Sequence, residues 1–217
     1  MKKRWKRSIV LACTGCIVAG LMVLPSTAAA KRKSGTYNRC VSTATNIPDG
    51  PADGASTPNP AGFFATFVRI PKFKGKPQSG VVTAFNSVGV RIAHTDVSDL
   101  ALFLVSPGGR AVALSTYRDQ SSDKSGDGFG TGPASCGGSL ALFGDAFPTS
   151  IVTPQNKGAG APIAGSFSPE QSLSTFVGGP ARGYWTLIVQ DVQAGDPGQI
   201  DALSLNFTYR YKAKKKR

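Results

Sequence analysis

Hydrolysis by a Ser-His-Asp arrangement needs a histidine to take the nucleophile's proton and an acid to orient that histidine. The sequence contains one histidine, His94. No Gly-x-Ser-x-Gly elbow surrounds any serine, so His94, which opens the block His94-Thr-Asp-Val-Ser-Asp99, has no marked nucleophile to serve. Glycoside cleavage needs two acids across a cleft. Glu170 is the sole glutamate and the aspartates fall mostly in turns, so no such pair is marked. Loop carboxylates and carbonyls are, however, the ligands that calcium uses. Asp99, Asp145 and Asp191 each stand beside an expected strand end, and Asp127 lies in a glycine-rich loop. The competing role for these aspartates is to cap turns by accepting from backbone amides.

The compartment follows from the first thirty residues. A basic start (Lys2, Lys3, Arg4, Lys6, Arg7) precedes an apolar run from Ile9 to Leu24 and then Pro25-Ser-Thr-Ala28-Ala-Ala30, the pattern of a secretory signal peptide cleaved before Lys31. An uncleaved anchor is the alternative, but the run is shorter than the ~20 residues that span a bilayer comfortably. A lipoprotein anchor at Cys13 or Cys16 lacks the usual Leu-x-small-Cys context. Cys40 and Cys136 remain after cleavage, and an even pair in an oxidising compartment is read as one disulfide. Two cysteines and a distant His94 do not make a zinc shell.

The formal charge of +13 becomes +8 once the five cations of the leader are removed, and almost all of that sits at the ends. Lys31, Arg32 and Lys33 open the remaining chain, while Lys212, Lys214, Lys215, Lys216 and Arg217 close it; residues 34–211 balance. A neutral body without a basic, aromatic-laced face argues against nucleic acid as a partner. The tails are either solvated or attach the protein to anionic wall polymer or lipid headgroups.

The elements that must hold these residues are read as strands. Turn formers crowd residues 46–60, and beyond Gly62 short runs rich in Val, Ile, Phe, Leu and Thr alternate with Gly, Pro, Asp and Ser clusters. Strands are expected near 62–70, 80–94, 99–106, 110–117, 138–144, 172–177, 183–191 and 198–210. In the last, Leu203, Leu205, Phe207 and Tyr209 share one face and Ser204, Asn206 and Thr208 the other, so one side packs and one meets water. Eight strands without a sustained helical period predict an all-β sandwich or jelly roll.

Two blocks carry a family resemblance. The first is His94-x-x-x-x-Asp99-Leu100-x-Leu102-x-Leu-x-Ser106-Pro107-Gly108-Gly109; the second is Gly183-Tyr-Trp185-Thr-Leu187-x-Val189-x-Asp191, followed by Gly195-Asp196-Pro-Gly198. Between them Leu114, Gly126-Asp127-Gly-Phe129, Leu142-Phe143-Gly-Asp145, Pro162-x-x-Gly165-x-Phe167-x-Pro169 and Leu173-x-x-Phe176-x-Gly178 keep the same order. From about Gly80 to Tyr209 the chain resembles the P domain, or homo B domain, which follows the catalytic domain in kexin- and furin-like proprotein convertases of the subtilisin family and in secreted bacterial proteases.

The resemblance implies an eight-stranded jelly-roll β-sandwich of galactose-binding-like class. It also implies calcium at Asp99, Asp145 and Asp191, a structural His94 and a core Trp185. The chain departs from the family in lacking a catalytic domain, in having Val97-Ser98-Asp99 where a furin-like Arg-Gly-Asp is expected, and in a proline-rich stretch between Cys40 and Lys76. The organisation expected is a signal peptide at 1–30, a basic arm and linker at 31–60, the sandwich at 61–211 and a basic tail at 212–217. The function expected is a secreted, non-catalytic partner of an extracellular serine protease, associated with the cell surface where the tails engage it. The alternative is a carbohydrate- or wall-binding jelly roll in which Trp185 stacks on a sugar.

Overall fold

The computed structural model describes residues 32–50, 63–69, 80–116, 128–152 and 162–212. The expected signal peptide, most of the linker and the tail beyond Lys212 lie outside them. The chain is all-β, with nine strands among the described residues: β1 (Arg32–Ile47), β2 (Phe63–Arg69), β3 (Gly80–Ala93), β4 (Leu100–Val105), β5 (Ala111–Thr116), β6 (Ala141–Phe143), β7 (Gly165–Phe167), β8 (Tyr184–Asp191) and β9 (Gly198–Lys212). They form two sheets, one ordered β1-β9-β3-β6-β7 and one ordered β2-β8-β4-β5. All pairings are antiparallel except β6 with β7.

The core lies between the sheets because one set of alternating side chains from each turns inward. Leu203, Leu205 and Phe207 of β9 meet Leu100, Leu102 and Leu104 of β4 and Trp185, Leu187 and Val189 of β8, all essentially without solvent contact. Trp185 is the centre of an aromatic cluster, its ring 5.2 Å from Phe85, 5.1 Å from Phe176 and 5.4 Å from Phe207. Its indole Nε1 donates to the Ala181 carbonyl at 3.1 Å, which satisfies the one polar atom that burial would otherwise strand.

The Ser106–Gly109 segment reverses the chain between β4 and β5. The Gly109 amide bonds the Ser106 carbonyl at 2.9 Å, Pro107 supplies the fixed φ of the first corner, and Gly109 takes φ +79°. Gly183 allows this turn to close on β8: a Cβ there would stand 2.6 Å from Cβ of Pro107.

The expected strand boundaries hold to within a few residues except in three places. Residues 172–177 are not a strand; Leu173–Phe176 is a 3-10 turn. Its Leu173 and Phe176 stand three apart and both bury, a spacing that a 3-10 turn places on one side. The Ser172 hydroxyl and the Asp145 carboxylate capture the first amides. The second difference is β1: residues assigned to a basic arm pair along β9 from Arg32↔Lys212 to Ile47↔Gly198. As an edge strand with only Tyr37 and Ile47 deeply buried, it offers little alternation to read. The third is β7, whose three residues are too few to show a period.

The disulfide between Cys40 and Cys136 is formed, with an S–S distance of 2.04 Å. It ties β1 to the 130–139 loop, and the Cys136 amide reinforces the junction by donating to Ser42 Oγ at 3.1 Å.

Candidate functional site

The β3–β4 connection and the β8–β9 turn meet at one end of the sandwich, and His94 sits at their junction with its side chain wholly buried. Its Nε2 donates to Asp191 Oδ2 at 3.2 Å. Its Nδ1 faces both backbone groups of Asp96, the carbonyl at 2.6 Å and the amide at 3.1 Å. A carboxylate at Nε2 requires a proton there in either charge state, while Nδ1 has an amide to accept from when neutral and a carbonyl to donate to when charged. Burial opposes the charged ring, but the hydrogen bond and negative charge of Asp191 outweigh it, with help from the Asp96 carbonyl and from Asp99; the imidazole is held above its ordinary value. With both nitrogens engaged and the ring closed from solvent, His94 is placed to organise a junction, and among the described residues no serine hydroxyl is bonded to it.

Asp99 ends the 3-10 turn Val97–Asp99, which Asp96 caps by accepting from the Ser98 amide at 2.8 Å. Burial, then the negative charges of Asp96 and Asp191, push its carboxyl up to about 6, against the pull of His94 and of the Ser98 hydroxyl. Asp191 completes the junction by accepting from the Gln193 amide through Oδ1 at 3.1 Å. The β8–β9 turn is further pinned by Asp49, which accepts from the Gly195 amide at 2.8 Å, and by Thr95, whose hydroxyl donates to Asp196 at 2.5 Å. Asp96, Asp99 and Asp196 line an open cleft of about 510 Å³ beside this turn.

The three carboxylates expected to share calcium are not brought together. Asp99 and Asp191 flank His94, whereas Asp145 spends its oxygens on the Leu173 amide (2.8 Å), the Ser174 amide (2.9 Å) and the Ser172 hydroxyl (2.7 Å). Among the described residues no group of three or more His, Cys, Asp or Glu is placed to hold a metal ion. The carboxylate pairs with His94 and with backbone amides do not fit the calcium set, which is the turn-capping alternative realised at Asp145. Of the remaining motif residues, Leu100 is in the core, Ser106 and Pro107 build the β4–β5 turn, and Gly183 lets that turn pack. Trp185 faces the core and has no surface to offer a sugar.

The sequence reading missed the surface opposite Trp185. On the outer face of the four-stranded sheet, the cross-strand rows run Arg69↔Tyr184, Phe67↔Thr186↔Val105 and Ile188↔Phe103. Phe67 is 64% and Tyr184 54% exposed, and Phe103, Val105 and Ile188 are half-buried. Phe67 and Tyr184 lie edge to face at 6.3 Å, and the Arg69 guanidinium sits 5.5 Å from the Tyr184 ring centre. The outer face of the other sheet is polar instead: Thr83 bonds Thr208 at 3.0 Å and Asn86 bonds Asn206 at 2.9 Å. The signal was present in Leu100-Ala-Leu102-Phe-Leu104-Val, where the residues between the core leucines are themselves apolar, the pattern of a strand covered on both faces.

No protein-family model matches the sequence, and no curated protein matches it. Among solved structures, a serine protease of Aeromonas sobria aligns at 15% identity with a TM-score of 0.41, over 81% of this chain and 27% of that one. A chain from the Aeromonas sobria serine protease and chaperone complex aligns at 15% identity with a TM-score of 0.42, again over 81% of this chain and 27% of its own length. The chain thus spans about a quarter of the proteins whose structures it aligns with.

Proposed function

We propose that this protein is a secreted, non-catalytic module of the P/homo B kind that docks on an extracellular serine protease through the outer face of its four-stranded sheet. The observation that carries this reading is the apolar row of Phe67, Tyr184, Phe103, Val105 and Ile188 on a sheet face that a free-standing sandwich would present as polar. Apolar side chains clustered on an exposed face in this way, here around Thr186, mark an interaction site. Exposed aromatic and arginine side chains packed on one another, as Phe67, Tyr184 and Arg69 are, are the residue types that dominate binding energy in protein interfaces. The engaged nitrogens of His94 support a non-catalytic role, since a general base must present a nitrogen to the group it deprotonates.

The test uses the chain without its leader as bait in culture medium from its own source, with Phe67→Asp/Tyr184→Asp as the paired control. Wild type is expected to recover a serine protease that the double variant does not. Recovery of the same protease by both would remove the sheet face from the account, and cleavage of a peptide library by the purified chain, lost in His94→Ala, would remove the non-catalytic reading.

A further inference from the structure

The two basic ends of the sequence are about 180 residues apart in the chain, yet β1 begins where β9 finishes. Pairing sets Arg32 directly opposite Lys212 and Ser34 opposite Arg210, so Arg32, Arg210 and Lys212 share the outer face of the five-stranded sheet within one diagonal step. Directly opposed side chains have Cβ atoms about 5 Å apart, and like charges so placed destabilise the pair. All three are exposed, and among the described residues none has an acidic partner within ion-pair distance. Val81, paired with Arg210 from β3, provides an apolar floor, and together with Tyr211 these residues enclose a small cavity of about 160 Å³.

The geometry points to this end of the sheet as a binding site for a linear, phosphate-bearing polyanion. Arg32, Arg210 and Lys212 line one concavity, and guanidinium forks match phosphate oxygens in bidentate fashion while an ammonium adds a point charge. An anion there relieves the Arg32–Lys212 repulsion that the strand register imposes. A polymer is favoured over a membrane surface because the concavity offers nothing to insert: Tyr211 and its neighbour Tyr209 are buried, whereas interfacial anchoring combines charge with exposed apolar side chains. The sequence adds Lys31 before the site and Lys214, Lys215, Lys216 and Arg217 after it; the site itself needs none of them.

The probe is fluorescent linear inorganic polyphosphate, titrated with the full chain lacking its leader. Binding is expected to weaken as salt is raised from about 50 to about 200 mM, as counterion release requires. Arg32→Gln/Arg210→Gln is expected to weaken binding at least tenfold, while Arg39→Gln/Arg182→Gln, which removes the same charge elsewhere, changes it less than twofold. Thermal melts of both variants confirm folding, and Lys212→Gln alone provides a smaller loss in the same direction. Equal loss in the two double variants would reduce the effect to net charge and overturn the site. So would absence of wild-type binding, or tighter association with phosphatidylglycerol vesicles than with the polymer.

Discussion

Replacing Asp99 by Asn should stabilise the protein at alkaline pH and leave it nearly unchanged in acid. The Asp99 carboxyl is raised from 3.8 to about 6, first by burial and then by Asp96 and Asp191, so the folded state holds its proton more tightly than the unfolded chain. Such a group favours folding below pH 4, and that advantage drains away as pH rises to about 6 and the carboxyl ionises inside the fold. The full difference corresponds to about 3 kcal/mol. The carboxyl borders the open cleft between the 3-10 turn and the β8–β9 turn, where water screens part of the charge, leaving about 1–2 kcal/mol. Asn keeps an oxygen for the Ser98 hydroxyl, 3.3 Å from Asp99, and carries no charge. Urea denaturation at pH 4, 6 and 8 should therefore show Asp99→Asn equal to wild type at pH 4 and more stable by about 1–2 kcal/mol at pH 8. A constant difference across all three pH values, or a variant less stable at pH 8, would refute the argument that ionised Asp99 is a burden in this junction.

His94 adds to the same slope: its raised value gives stability that is complete below 6.5 and lost as pH rises through the folded value. Wild type should thus be more stable near pH 5.5 than near pH 8.5, and His94→Gln should flatten that dependence in urea titrations. Gly128 has φ +86°, and a Cβ there would stand 1.9 Å from the Ile92 carbonyl, so Gly128→Ala should cost more than about 2 kcal/mol by thermal melting. Asp145→Ala removes three hydrogen bonds from the first amides and hydroxyl of the 172–174 turn and should cost about 1–2 kcal/mol; a calcium titration should leave the melting temperature of wild type unmoved by this residue. Cys40→Ala/Cys136→Ala opens a loop of sequence separation 96, which corresponds to at most about 4.7 kcal/mol; calorimetry with and without reductant measures it.

The core strands were legible because their physics is local. The alternation of Leu203, Leu205 and Phe207 against Ser204, Asn206 and Thr208 predicts the buried and solvent sides of β9, and the cysteine pair predicts the disulfide. β1 was not legible, since an edge strand is held by its neighbour's hydrogen bonds and Ser-Gly-Thr-Tyr-Asn-Arg carries no strong period of its own. Leu173 and Phe176 were misread for the opposite reason: apolar residues suggest a strand, but a carboxylate 28 residues away decides the local turn. The grouping of the aspartates was not legible either, because each lies near a strand end while only Asp99 and Asp191 lie near the same one. The convergence of the basic ends depends on the β1–β9 register, which composition does not contain.

The central claim is that the outer face of the four-stranded sheet is the docking surface. It is tested most directly by placing a photo-crosslinking benzoylphenylalanine at position 67, and separately at position 83 on the outer face of the other sheet. Irradiation in culture medium is predicted to join position 67, and not 83, to a secreted serine protease. Crosslinking from 83 instead, or from neither position while the protein remains folded, would contradict the account.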